Sequence, residues 1–234
     1  MRVFSKSIIV IILAAALCSA VGCTKDNGGN GTYNGHDYID LGLPSGTMWA
    51  TYNVGAENPE EYGDYFAWGE TQSKDVYNWS TYLYCNGDYN QLTKYCTQSV
   101  FGFNGFTDNL AVLLPVDDAA TTHWGEGWRT PTYENWVELL SRCSHTWTTR
   151  NGVAGCLFTG RNGNSIFLPA ASTRYDDESR NAGDEGFYWS RTLHKSEPDG
   201  VKGFQFIIAL DDCDLYDNFC RAYGRSVRAV CSSR

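Results

Sequence analysis

Basic residues are scarce in this chain: 18 Lys and Arg stand against 27 Asp and Glu among 234 residues, a net charge of −9. That deficit argues against nucleic acid as a partner, because holding a phosphate backbone needs a basic footprint. Charge of either sign is thin, at 19% of residues, whereas aromatics reach 15%, a balance that excludes a disordered chain. Long apolar runs are missing beyond the first two dozen positions, and the one found there, Ile8 to Leu17, is too short for a stable spanning helix. Catalytic signatures are missing too: no Gly-x-Ser-x-Gly, His-Glu-x-x-His or phosphate-binding loop occurs, so no catalytic residue is assigned and a non-enzyme is expected. No Cys-x-x-Cys pair occurs, and the four His (His36, His123, His145, His194) are scattered; Cys143 and His145 share a segment without facing one another, which argues against zinc.

What the chain does hold is 24 Gly and many Tyr, Trp and Phe, a composition that favours numerous short strands joined by tight turns. At roughly 100–200 residues per domain the length suits one domain after an N-terminal segment is set aside. Residues 1–22 combine Arg2 and Lys6, a short apolar run and small residues before Cys23, the pattern of a secretory signal peptide. The triplet ending at Cys23 resembles a bacterial lipobox, so cleavage before Cys23 and its acylation are expected, with the mature protein exported and anchored by lipid alone to the outer membrane, exposed at the surface. Removing residues 1–22 leaves 16 basic against 27 acidic residues, a net charge of −11. Residues 23–35, polar and rich in Gly and Asn, read as a flexible linker, and 36–234 as the domain.

Within the domain, short strands are expected at Asp37–Leu41, Thr47–Val54 and Tyr65–Trp68, separated by turn signals such as Pro44-Ser45-Gly46. Thr71 to Leu114 lacks any sustained period and reads as irregular, stapled by Cys85–Cys96. A short helix is expected over Asp117–Trp124. A firmer one starts with Thr130 as cap and Pro131 in the first turn, and presents Trp136, Leu139, Leu140 and Cys143 at helical spacing. Gly155–Thr159 and Ser165–Leu168 form a hairpin across Asn162-Gly163, followed by strands at Phe187–Thr192, Phe204–Leu210 and Arg225–Val230. Seven cysteines remain in the domain (Cys85, Cys96, Cys143, Cys156, Cys213, Cys220, Cys231), an odd number that leaves at least one thiol outside an internal disulfide.

Several strings resemble the Fibrobacter succinogenes major paralogous domain family: Tyr38-Ile39-Asp40-Leu41-Gly42-Leu43-Pro44-Ser45-Gly46, Asn53-Val54-Gly55-Ala56, Glu61-Tyr62-Gly63-Asp64-Tyr65-Phe66-Ala67-Trp68-Gly69-Glu70-Thr71, Gly127-Trp128-Arg129-Thr130-Pro131-Thr132 and Gly224-Arg225-Ser226-Val227-Arg228. The resemblance runs over residues 36–231. It implies an α+β, C-type-lectin-like fold, distantly similar to formylglycine-generating enzymes, with twisted antiparallel sheets flanked by two helices and binding carried on long loops. It also implies a Cys143–Cys231 disulfide. Family members often carry Cys where this chain has Tyr52, which would strand one thiol here. Cys156, Cys213 and Cys220 stay unassigned, and the reactive Cys pair of the related enzymes does not align to Cys213 and Cys220.

Two acidic stretches invite calcium: Glu197-Pro198-Asp199, similar to the Glu-Pro-Asn of calcium-dependent lectins, and Asp211, Asp212, Asp214 and Asp217. Neither supplies the six to eight oxygens the ion takes, so no cofactor is expected. The recognition candidates are Arg174, Tyr175, Asp176 and Asp177 together with Asp211, Asp212, Asp214, Tyr216, Asp217, Asn218, Phe219, Arg221 and Tyr223, aromatic and polar groups suited to adaptable surfaces. Asp211–Tyr223 contains no Lys, Glu, Gln, Met or Trp, the residues a retroelement that randomises adenines in Asn codons cannot reach. The expected role is binding of a protein or glycan ligand through these loops. The competing roles are a structural surface or adhesin subunit and a formylglycine-generating-like enzyme.

Overall fold

A computed structural model describes residues 24–25 and 29–232. The expected signal peptide (1–22) and lipidation site (Cys23) lie outside the described residues. In chain order come β1 (Thr24–Lys25), β2 (Gly31–Tyr33), β3 (His36–Asp40), β4 (Thr47–Ala50) and β5 (Tyr65–Phe66), then α1 (Ala119–Trp124) and α2 (Tyr133–Arg142). A run of strands follows: β6 (Ser144–Arg150), β7 (Val153–Thr159), β8 (Ser165–Pro169), β9 (Thr173–Tyr175), β10 (Glu178–Arg180) and β11 (Glu185–Leu193). The chain closes with β12 (Gly200–Ile207), β13 (Asp212–Cys220), β14 (Arg225–Ser226) and β15 (Val230–Ser232). The architecture is α+β and mostly antiparallel.

Two five-stranded sheets, ordered β1-β2-β3-β4-β15 and β13-β12-β11-β14-β5, are joined by a three-stranded sheet β6-β7-β8 and the ribbon β9-β10. Among the strand pairs of the described residues, only β11–β14, with Tyr188 opposite Ser226, runs parallel. Strand alternation divides the interior in two. Met48 and Ala50 on β4, Trp189 on β11 and Cys231 on β15 face a core with Phe66, Trp68, Trp124 and Trp128. Their neighbours Trp49, Tyr188 and Val230 face a second core with Trp136, Leu139, Phe158, Phe204 and Phe206. Because both faces of these strands are covered, they read as apolar runs rather than as an apolar–polar alternation.

The α2 helix stands where its spacing placed it, with Trp136 and Leu139 buried, but its cap is two residues later than expected. Thr132 Oγ1 accepts from Asn135 N, and Asn135 Oδ1 accepts from Thr132 N, a reciprocal capping box. The α1 helix starts at Ala119 because the Asp118 carboxylate accepts from Ala120 N and Thr121 N. Residues 71–114 carry no strand and a single short 3-10 turn at Phe103–Gly105. Several expectations are corrected. The last part of the expected linker is structured, since Gly31–Tyr33 pairs with β3 and Tyr33 is buried, its carbonyl accepting from Trp128 Nε1 at 2.9 Å. The β6 strand carries no strand signal in the sequence because it is polar and exposed except at Trp147.

The expected disulfides are not formed, and no disulfide joins the described cysteines. Cys231 faces the first core while Cys143, at the end of α2, packs in the second, on the opposite side of the β4–β15 pair. The Cys85 thiol turns instead to the carbonyl of Trp79, and that of Cys96 to the carbonyl of Gln98. Among the described cysteines, Cys156 on β7 and Cys213 on β13 approach each other, with their Sγ atoms 3.9 Å apart.

Candidate functional site

The expected recognition loop 211–223 is largely a strand. On β13, Cys213 and Leu215 pack on the second core while Asp212, Asp214 and Tyr216 are exposed, a period of two that the flanking acids conceal. The β13 strand then bulges: Gly203 pairs with Tyr216 but Val201 with Phe219, so three steps on β13 match two on β12. A regular strand would send Tyr216 and Phe219 to opposite faces; the extra residue puts them on one, where their rings stack 4.8 Å apart at 18°. Gly203 makes room for this, because a Cβ there would fall 2.6 Å from the Phe219 ring.

The same face of β11 and β12 presents Phe187 and Gln205, which are paired across the strands. With Tyr216, Asn218, Phe219 and Tyr223 they border an open concavity of about 340 Å³ with Arg225 at its margin. Arg225 is only 5% exposed. Its guanidinium lies 4.1 Å from the Phe219 ring centre, 4.5 Å from Trp189, 5.7 Å from Phe187 and 5.8 Å from Tyr223. Nη1 donates to the Cys220 carbonyl at 3.0 Å, while the buried Nε has no acceptor. Burial lowers its pKa to about 10, leaving it charged near neutrality. Cation–π contacts of this kind give back about 0.5–2 kcal/mol. Burying an unpaired ion costs several, so the cation is held at a net cost.

The two segments singled out from the sequence do meet. Arg174 N donates to Gly224 O at 2.8 Å, Gly224 N donates back at 2.9 Å, and the rings of Tyr175 and Tyr223 contact at 4.8 Å. Other candidates are committed elsewhere. Arg221 is fully buried and donates to Tyr82 Oη, Tyr95 O, Pro198 O and Lys94 O, so it clamps the irregular region rather than facing solvent. The Arg174 guanidinium donates to Asp177 O, and Asp176 accepts from Asn78 Nδ2. Asp211 accepts from Trp147 Nε1. Lys202 and Tyr133 hold Asp217 below the usual carboxylate pKa despite some burial. Asp212 and Asp214 stay exposed.

Cys213 and Cys220 lie seven residues apart on one strand, about 20 Å at the usual rise, so they form no reactive pair. Among the described residues no group of three or more His, Cys, Asp or Glu is placed to hold a metal ion, and no helix is long and apolar enough to cross a membrane. A larger cleft of about 500 Å³ lies between Val112, Glu134 and His194. Its Lys202 is already paired with Asp217 at 3.2 Å. The concavity at Arg225 is therefore the stronger candidate.

Phe187, Gln205 and Arg225 were not among the residues expected from sequence. Gln205 carried a signal, as the one polar side chain interrupting the apolar run Phe204–Leu210. Comparison with protein-family models, characterised proteins and solved structures finds no match to this chain.

Proposed function

We propose that this is an exported, lipid-anchored surface protein whose C-type-lectin-like domain binds a protein or glycan ligand through the concavity on β13. The observation that carries the reading is the convergence of exposed Tyr216, the Gln205 amide and a buried, uncompensated cation around one open hollow. Exposed aromatic faces on a rigid sheet supply contact area at low entropic cost, and the Gln205 amide supplies directional hydrogen bonds. Retroelement diversification of Asp211–Tyr223 would vary most of this rim, Tyr216, Asn218, Phe219, Cys220 and Tyr223, while Phe187 on β11 and Gln205 on β12 stay fixed. The signal peptide, the Cys23 anchor and the family assignment rest on the sequence strings.

A structural subunit is the second reading, and one observation favours it. β13 is the outer strand of its sheet, with backbone groups along one side open to another chain. Its exposed Asp212, Asp214 and Asp217 work against such pairing, since inserted charge is how edge strands avoid it. Glycan and protein arrays probed with wild type, Tyr216→Ala and Tyr223→Ala separate the two. A receptor loses a ligand by tenfold or more and stays folded; a subunit shows no array ligand and loses self-association.

In an oxidising compartment the thiols best placed to join are Cys156 and Cys213. A disulfide-bearing oxidant would accept their two electrons and two protons, becoming two thiols as the new S–S bond forms. The pair would tie β13 to the three-stranded sheet and leave five cysteines in the domain.

A further inference from the structure

Three arginines near the end of the chain, Arg221, Arg225 and Arg228, are buried. Two of them are satisfied by the fold. Arg221 makes four hydrogen bonds, and Arg228 makes four, to Asn53 Oδ1, Ala50 O, Thr51 O and Phe167 O. Arg225 makes one, leaves Nε without an acceptor, and pairs with no carboxylate among the described residues. It is also the only one of the three that lines the concavity. A buried cation that its own fold leaves uncompensated, at the wall of an open hollow, is prepared for an anion that arrives from outside.

We propose that the ligand is an acidic glycan, one whose terminal sugar bears a carboxylate received by Arg225. This rests on the reading of the concavity as the binding site. The stacked pair Tyr216 and Phe219 offers an aromatic face to the sugar ring, with Tyr216 43% exposed. The Gln205 amide supplies partners for hydroxyl groups, whereas the Asn218 amide is turned to the neighbouring segment, its Nδ2 bound to Glu197 Oε2 at 2.5 Å and its Oδ1 packed against Gly200. Asp214, opposite Gln205 on the same face, places one negative charge near the hollow. That charge fits a ligand with a single carboxylate and works against a densely charged polyanion. The rings of Trp189 and Phe219 beside Arg225 make its surroundings less polar than water, which strengthens a charge-assisted hydrogen bond formed on the side facing the hollow.

The test follows the Arg225 Nε–H resonance in the isotope-labelled, detergent-solubilised protein during titration with glucuronate, glucose or acetate at constant ionic strength. The expected result is a saturable shift with glucuronate at least tenfold tighter than with glucose or acetate. Followed by the Gln205 side-chain amide resonance at the same hollow, which every variant keeps, Arg225→Gln with an unchanged melting temperature should remove the preference for glucuronate over glucose, and Arg225→Lys should keep part of it. Equal response to glucose, or none to glucuronate, overturns the proposal. An acetate response as strong as the glucuronate one overturns the sugar and leaves a bare anion site. If a protein ligand on an array loses binding in Tyr216→Ala while glucuronate has no effect, the acidic glycan is wrong and the recognition surface stands; if no ligand depends on Tyr216, both fall.

Discussion

At the scale of single residues, the protein fixes its interior with a few fully committed polar groups. Arg228 draws the carbonyls of Ala50 and Thr51, the Asn53 side chain and the Phe167 carbonyl around one guanidinium, joining β4 to β8. Hydrogen bonds to a charged group are each worth about 1.5–3 kcal/mol, and their loss strands buried acceptors. Arg228→Ala is therefore expected to cost about 3–4 kcal/mol in chemical denaturation; a loss under about 1 kcal/mol would show that these acceptors find water instead. His36 offers a test by pH. Its ring stacks on Trp124 at 4.1 Å, and burial lowers its pKa below the ordinary 6.5, with Asp37 opposing. Above 6.5 the ring is neutral in both states. As pH falls through that value the unfolded chain takes up the proton first, so stability drops until the folded pKa is passed. NMR titration should give a His36 midpoint below 6.5, and the melting temperature of wild type should fall more steeply from pH 7 to 5 than that of His36→Gln; a midpoint above 6.5 contradicts the account.

At the scale of elements, legibility followed how much of the pattern came from buried apolar side chains. The α2 helix was readable because Trp136, Leu139 and Cys143 repeat at helical spacing, and the β7–β8 hairpin because Asn162-Gly163 marks its turn. The β13 strand was not, since its buried positions are a Cys and a Leu among aspartates and a bulge then shifts the phase before Phe219. The site was legible to the same degree: Tyr216, Asn218, Phe219 and Tyr223 came from one polar, aromatic stretch, whereas Arg225 depended on strand pairings far apart in sequence. The β7–β13 contact carries a prediction of its own. Treatment with a small disulfide oxidant should join Cys156 to Cys213, whose sulfurs need close about 2 Å to reach bonding distance, and peptide mapping should recover that cross-link first. Recovery of Cys143–Cys231 or Cys85–Cys96 in its place would contradict the arrangement of the two cores.

At the scale of the whole molecule, the central strands separate two aromatic cores, and both faces of the β11–β12–β13 layer are used. One face is buried through Tyr188, Phe204 and Phe206; the other runs from Trp189 in the first core out to Phe187, Gln205 and Tyr216 at the hollow. A rigid layer of this kind holds its rim in place before a ligand arrives, which lowers the ordering cost of binding. Acidity outside and a lone cation within give the surface a preference that net charge alone would not reveal. Hydrogen exchange of the protein with and without a ligand captured from the arrays tests the central claim most directly. The account predicts new protection at Tyr216–Cys220 and Tyr223–Ser226 with little change at the cleft between Val112 and His194; protection confined to that cleft, or to the β6–β8 sheet, would contradict it.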